Sequence, residues 1–167
     1  MKFVADGMLG RLARWMRLLG EDVLYLKDTE DEELIEAALE EKRALLTSDV
    51  ALYRRAKAQN VNAYAVEGKT ESDRLAEIAR IFRIPLEADP NRSRCAICNG
   101  STVATQKRRI EGKVPGKVFA RNMDFWMCSS CGKIYWKGGH WLNIDLVLQD
   151  VKRILKEDKG IKRVTRS

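Results

Sequence analysis

The sequence predicts an α/β domain with a mostly parallel sheet, followed by a small β-rich metal ribbon and a closing helix. Three observations carry that reading. Short apolar runs alternate with amphipathic segments over the first ninety residues. Four cysteines then follow as two Cys-x-x-Cys pairs. The charge changes sign at the same point: residues 1–90 carry a balance of −4 and residues 91–167 a balance of +11, within a total of +7.

Lys2–Ala5 is a short apolar run ending on Asp6, and it reads as the first strand. Gly7–Leu19 reads as a helix, with Leu9, Leu12, Ala13, Met16 and Leu19 on one face and Arg11, Arg14 and Arg17 on others. Gly20 stands where a left-handed terminator is expected. Asp22–Leu26 is the second strand, and Asp31 suits the N-cap of a helix over Glu32–Lys42. Ala44–Thr47 is the third strand, followed by Asp49 and a helix over Val50–Gln59. Val61–Val66 is the fourth strand, and a helix over Glu71–Phe82 ends before Pro85. Strictly alternating strands and helices call for crossover connections, hence a parallel sheet covered on both faces.

Leu86–Arg94 is polar, contains Pro90, and marks the expected boundary between a domain at 1–90 and a second at 91–167. Beyond it, Cys95 to about Trp141 reads as short hairpins around a metal. Asn143–Glu157 reads as an amphipathic helix bearing Leu146, Val147, Val151, Ile154 and Leu155, and Lys159–Ser167 as a frayed basic tail. No run approaches the length needed to span a bilayer, and the start lacks the features of a signal peptide, so a soluble cytoplasmic protein is expected.

Cys95, Cys98, Cys128 and Cys131 form pairs separated by 29 residues, with Gly100 and Gly132 just beyond each pair. Two such turns aim four soft ligands at one point, the set that zinc takes in closed structural sites. An iron–sulfur cluster accepts the same ligands. Disulfides are disfavoured in a cytoplasmic setting, and a single redox pair leaves the second motif unexplained. The long spacing suits a ribbon with an inserted hairpin.

Asp6, Asp28 and Asp49 follow the first three strands, at the carboxyl ends where open α/β sheets bind ligands, and Asp31 heads the next helix in the same region. Grouped carboxylates raise one another's pKa unless a cation neutralises them, and Mg²⁺ or Mn²⁺ prefers such oxygen ligands. A metal held there can activate water for phosphodiester hydrolysis. Each aspartate alone is equally suited to capping a helix.

Two further groups bear on partners. Lys107, Arg108, Arg109, Lys113, Lys117 and Arg121 lie between the cysteine pairs, near Phe119, Phe125 and Trp126. Basic residues interleaved with aromatics suit nucleic acid, as do Arg11, Arg14 and Arg17 beside the first strand end; the alternative is a solvated surface. His140, the only histidine, reads as structural, since four cysteines already satisfy zinc.

The run Phe3-Val4-Ala5-Asp6-Gly7-Met8-Leu9-Gly10-Arg11-Leu12-Ala13-Arg14-Trp15-Met16-Arg17-Leu18-Leu19-Gly20 resembles the opening of the PIN-like ribonuclease family named for the C-terminal RNase domain of the mut-7 exonuclease. Asp28–Glu33, Leu45–Asp49 and Cys128–Trp141 agree with it in order, so the likeness spans about residues 2–142. It implies a PIN-like three-layer α/β/α domain with an acidic Mg²⁺ or Mn²⁺ site, then a zinc ribbon. Carried over, Asp6 and Asp49 are the implied metal ligands, with Asp31 and then Asp28 beside them. Glu67 or Asp73 stands nearest the family's fourth acidic position, and the familiar Thr-Arg-Asp pattern reads Thr47-Ser48-Asp49 here. The expected function is metal-dependent endoribonucleolytic hydrolysis. A non-catalytic RNA-binding adaptor, associated with ribosomes or with another nuclease, is the competing expectation.

Overall fold

Alternation along single strands builds two cores, one on each face of the sheet. In β1 (Lys2–Ala5), Phe3 and Ala5 enter one core and Val4 the other. In β3 (Ala44–Thr47), Ala44 and Leu46 side with the first and Leu45 with the second. Phe3, Val4, Ala5, Leu45 and Leu46 are completely buried. That is the pattern of a parallel strand covered on both faces, and each large side chain contributes roughly 1.5–3 kcal/mol of transfer free energy. The computed structural model describes residues 1–164.

The sheet has the order β2-β1-β3-β4, all parallel, with β2 spanning Asp22–Tyr25 and β4 Ala63–Ala65. Helix α1 (Gly10–Leu18) connects β1 to β2 and sends Leu12, Ala13 and Met16 into the first core. Helices α2 (Asp31–Glu40) and α3 (Val50–Ala58) run the chain in the opposite direction across the sheet and fill the second core. Right-handed crossovers require this: reversing direction along the sheet moves the helices to the other face. The reversal lies between β1 and β3, which makes their carboxyl ends the switch point of the fold.

Helix α4 (Glu71–Phe82) returns to the first core with Leu75, Ala76, Ile78 and Ala79. The last helix, α6 (His140–Val164), packs on α4 and inserts Leu148 and Val151 into the same core. The helix that the sequence groups with the ribbon therefore packs on the α/β layer. It is also longer than the expected Asn143–Glu157, and residues 165–167, the end of the expected basic tail, lie outside the described residues. Among the described residues no helix is long and apolar enough to cross a membrane.

Strands β5 (Thr102–Thr105), β6 (Phe125–Cys128) and β7 (Ile134–Trp136) form a separate antiparallel sheet in that order. The segment between β5 and β6 differs from expectation. It holds a 3-10 turn over Lys107–Ile110 and the short helix α5 (Gly116–Arg121) where a hairpin was expected. Completely buried Ile110 anchors it, and Pro115, which sets a helical φ with no amide to satisfy, precedes α5.

Candidate functional site

The ribbon brings the four cysteines together. Their sulfurs all lie within 4.8 Å of one another, with Cys95 Sγ 3.6 Å from Cys131 Sγ and Cys98 Sγ 3.4 Å from Cys128 Sγ. A tetrahedral zinc site with Zn–S bonds near ~2.3 Å requires sulfur separations of about 3.8 Å, so the cage fits that ion. The same distances are far too long for a disulfide, whose sulfurs stand about 2 Å apart. The amides of Ser130 and Cys131 point at Cys128 Sγ, and the Tyr135 hydroxyl lies 3.1 Å from Cys95 Sγ.

The two turns are built alike. The residue after each second cysteine is left-handed: Asn99 at φ 66° and Gly132 at φ 73°. Gly100 is needed for space, since a Cβ there would stand 2.9 Å from Cys128 Sγ. Without a cation the four thiols cannot all ionise. Burial pushes the Cys95 thiol up, but Tyr135 and nearby amides outweigh it and bring Cys95 to about 6, while Cys98 is pushed to about 12. A divalent ion removes that conflict. His140 is not part of the cluster.

Arg17 does something the sequence does not suggest. It is buried, and its Nε and Nη2 donate to Val23 O at 2.9 and 2.7 Å, while Nη1 donates to Ala96 O and Ile97 O at 3.0 and 3.3 Å. The expected RNA contact by Arg17 is corrected accordingly: its donors are spent on tying α1 and β2 to the first cysteine turn. Burial pulls its pKa down, and Cys95 and Cys98 oppose that pull. Asp22 reinforces the clasp by accepting from Arg43 Nη1 at 2.7 Å and from Asn99 Nδ2 at 2.8 Å. Arg17→Met would strand the Val23, Ala96 and Ile97 carbonyls, and a loss of about 3 kcal/mol is expected, since bonds from a charged donor contribute ~1.5–3 kcal/mol. Chemical denaturation checks this; an unchanged midpoint would show that the clasp carries no stability.

The carboxylates divide into two classes. Asp6 is only 5 % exposed, and no basic side chain pairs with it among the described residues. Its Oδ1 accepts from Met8 N at 2.8 Å, and its Oδ2 accepts from the Thr47 hydroxyl and from Ser48 N. These bonds split the expected Gly7–Leu19 helix into a 3-10 turn over Gly7–Leu9 and then α1. Asp49 is exposed and caps α3, its Oδ1 accepting from Ala51 N and Leu52 N at 2.6 and 3.1 Å. Among the described residues nothing donates to its Oδ2.

Thr47 joins the two acids. Its hydroxyl, fully buried at the end of β3, donates to Asp6 and accepts from Asp49 N at 2.9 Å. In sequence Thr47 stands out only as part of the Thr47-Ser48-Asp49 motif; its place as the last residue of a fully buried apolar strand is the signal for this role.

The remaining acids are placed differently. Asp31 is the first residue of α2 and does not cap it; its Oδ2 accepts from Arg55 Nη1 at 2.8 Å. Asp28 is exposed beside Lys27, with a left-handed φ of 55°. Asp73 is committed to a capping box with Thr70, which holds its carboxyl below the usual range. Glu67 is exposed. Glu71 was not anticipated. It lines a cavity of about 410 Å³ with Gly7, Met8, Arg11 and Arg14, and its Oε2 is buried without a partner. Among the described residues the four cysteines alone form a cluster of three or more side chains at metal-binding separation.

Arg11 and Arg14 are exposed at this edge and pair with no carboxylate among the described residues. The same holds for Arg109, Lys117 and Arg121 on the insert. Arg108 bonds Gln106 Oε1, and Lys107 stands over the Phe119 ring at 4.8 Å.

Comparison with curated proteins and with solved structures gave no match. The comparison with protein families did: residues 1–148 match the model of the Mut7-C RNAse domain. That span takes in the parallel sheet, the Asp6 and Asp49 edge and all four cysteines, and the chain belongs to the Mut7-C RNAse domain family.

Proposed function

We propose that this protein is a divalent-metal-dependent endoribonuclease of PIN-like type, cutting RNA at the edge formed by the carboxyl ends of β1 and β3. The observation that carries the reading is Asp6: a buried carboxylate held by neutral donors, with no basic counter-charge, one hydroxyl away from Asp49 at the switch point. Hard oxygen donors of this kind suit Mg²⁺ or Mn²⁺.

Asp6 and Asp49 hold the cation, with the free Oδ2 of Asp49 as one donor. Thr47 fixes the Asp6 carboxylate and the backbone at Asp49 together. Arg11 and Arg14 hold phosphates of the strand beside the edge. When bound, the cation offsets charge developing on the phosphate and makes water easier to deprotonate. Asp31 joins only by leaving Arg55, an ion pair that is partly exposed and therefore weak. Glu71 takes the fourth acidic position that Glu67 or Asp73 was expected to fill, because it lines the cavity beside Gly7 and Met8 and its buried Oε2 has no partner, while Oε1 accepts from Arg74 Nη1 at 3.4 Å. Asp28 is an outer contributor.

The four cysteines hold one structural Zn²⁺, whose filled coordination leaves no position for chemistry. The insert, through Lys107, Arg108, Arg109, Lys117 and Arg121, adds positive charge along the RNA.

A competing adaptor role draws support from the capping bonds of Asp6 and Asp49. Cleavage of a labelled single-stranded RNA, with and without added Mn²⁺ or Mg²⁺, separates the two. Cleavage that starts on adding metal is expected. RNA retention with no turnover at any metal concentration would replace the nuclease reading with the adaptor.

A further inference from the structure

All four tryptophans of the chain, at 15, 126, 136 and 141, line one cavity. They come from α1, β6, β7 and the first turn of α6, so the cavity sits where the α/β layer meets the ribbon. Its volume is about 390 Å³, within the range of pockets that bury small ligands. The side chains are held in place. Trp126 Nε1 donates to Asn91 Oδ1 at 2.8 Å. Tyr135, also in the lining, is fixed through Ala96 N. Trp136 lies against Gly138, where a Cβ would stand 2.8 Å from its Nε1. Among the described residues the indole N–H groups of Trp15, Trp136 and Trp141 have no hydrogen-bond acceptor.

Charge selects what fills it. Arg11 and Arg14 form part of the wall and, among the described residues, have no carboxylate partner. Arg94, also in the wall, is matched by Asp22. An apolar peptide would cover two guanidinium groups with no counter-charge. A flat ring carrying a phosphate satisfies both features, and unpaired bases in RNA are recognised by stacking on aromatic planes. Arg11 and Arg14 also line the neighbouring cavity beside Gly7 and Met8, immediately after Asp6. One pair of arginines therefore borders both the aromatic cavity and the acidic edge.

We infer that the tryptophan cavity captures an unpaired base of the RNA strand, with the adjoining phosphate on Arg11 and Arg14. This rests on RNA as the ligand and makes the protein selective for single-stranded over fully paired RNA. It gives the ribbon a further role as one wall of the base site.

The test uses the zinc-loaded full chain without added Mg²⁺ or Mn²⁺, and a short labelled single-stranded oligoribonucleotide against the same strand in a perfect duplex. In the wild type, the single strand is expected to quench tryptophan emission and the duplex to leave it nearly unchanged. Trp136→Ala/Trp141→Ala is expected to weaken single-strand binding roughly tenfold or more, as loss of base stacking does, while Trp136→Phe/Trp141→Phe retains most of it. Zinc content and the melting curve establish that the variants are folded; if the alanine pair misfolds, wild-type quenching and the phenylalanine pair decide. Unchanged emission at saturating RNA, or equal affinity in a folded alanine pair, would overturn the proposal and leave the cavity to an apolar protein segment. Quenching here, with no cleavage once Mn²⁺ or Mg²⁺ is added, would keep the base site and remove the nuclease. Metal-dependent cleavage without quenching would do the reverse.

Discussion

Asp49→Asn is expected to lower metal-dependent RNA cleavage by at least about 100-fold, beyond the ~10–100-fold typical for losing an outer partner of a metal site, while RNA affinity is kept. The substitution is informative because it barely touches the fold. Asparagine caps a helix about as well as aspartate, so the bonds to Ala51 N and Leu52 N survive. Only a charge at the N-terminus of α3 is lost, a change of about 0.3–1 kcal/mol. If Asp49 serves as a cap and nothing more, Asp49→Asn keeps whatever activity the protein has. Asp6→Asn should abolish cleavage as well, with a larger structural cost. Its Oδ2 accepts from Thr47 and Ser48 N, and an amide placed there faces donors with a donor. About 1–3 kcal/mol of stability should go with it, so the melting curve must accompany the rate.

Cys128→Ser is expected to reduce bound zinc from one ion per chain to none and to unfold the ribbon. Structural zinc in small domains contributes on the order of 10–16 kcal/mol of apparent binding free energy, far more than a sheet of three short strands can replace. The loss should reach the α/β layer too, because Arg17 bonds the carbonyls of Ala96 and Ile97, and Asn99 bonds Asp22 and the Val23 amide. Metal analysis together with the near-ultraviolet circular dichroism of the tryptophans measures both effects. A variant that loses the metal and keeps wild-type tertiary signal would show that the cage is not structural. An iron signal in the wild type would replace zinc with a cluster of the same ligands.

The parts of this architecture written in local sequence are those governed by local physics. Strands Lys2–Ala5 and Ala44–Thr47 and helix Glu71–Phe82 have the bounds expected from apolar runs and periodicity. The cysteine cage follows from motif spacing alone. What escaped depends on the approach of distant segments. Arg11, Arg14 and Arg17 resemble one polar stripe, yet residues three apart drift by about 60° per step around a helix. By Arg17 the drift has turned the side chain onto the face that meets the cysteine turn. The segment between the cysteine pairs offers no alternating apolar pattern to build a hairpin, and it folds as short helical turns around Ile110.

Asp31 looked like a cap, but the chain enters α2 one residue earlier, and Arg55 on the adjacent helix takes the carboxylate. The partner of α6 and the meeting of four tryptophans were equally out of reach, since α6 meets a helix roughly seventy residues earlier and Trp15 joins tryptophans more than a hundred residues away. At the acidic edge the sequence showed which carboxylates end strands. It did not show that a buried threonine links two of them, or that Asp73 is consumed by its own helix cap.

The most direct test of the nuclease assignment is single-turnover cleavage of labelled single-stranded RNA across a Mn²⁺ titration, with wild type beside Asp6→Asn/Asp49→Asn. Cleavage that rises with metal in the wild type and vanishes in the double variant, with RNA binding retained, is the predicted result. Equal cleavage by both proteins, or RNA held intact by the wild type at every metal concentration, would contradict it.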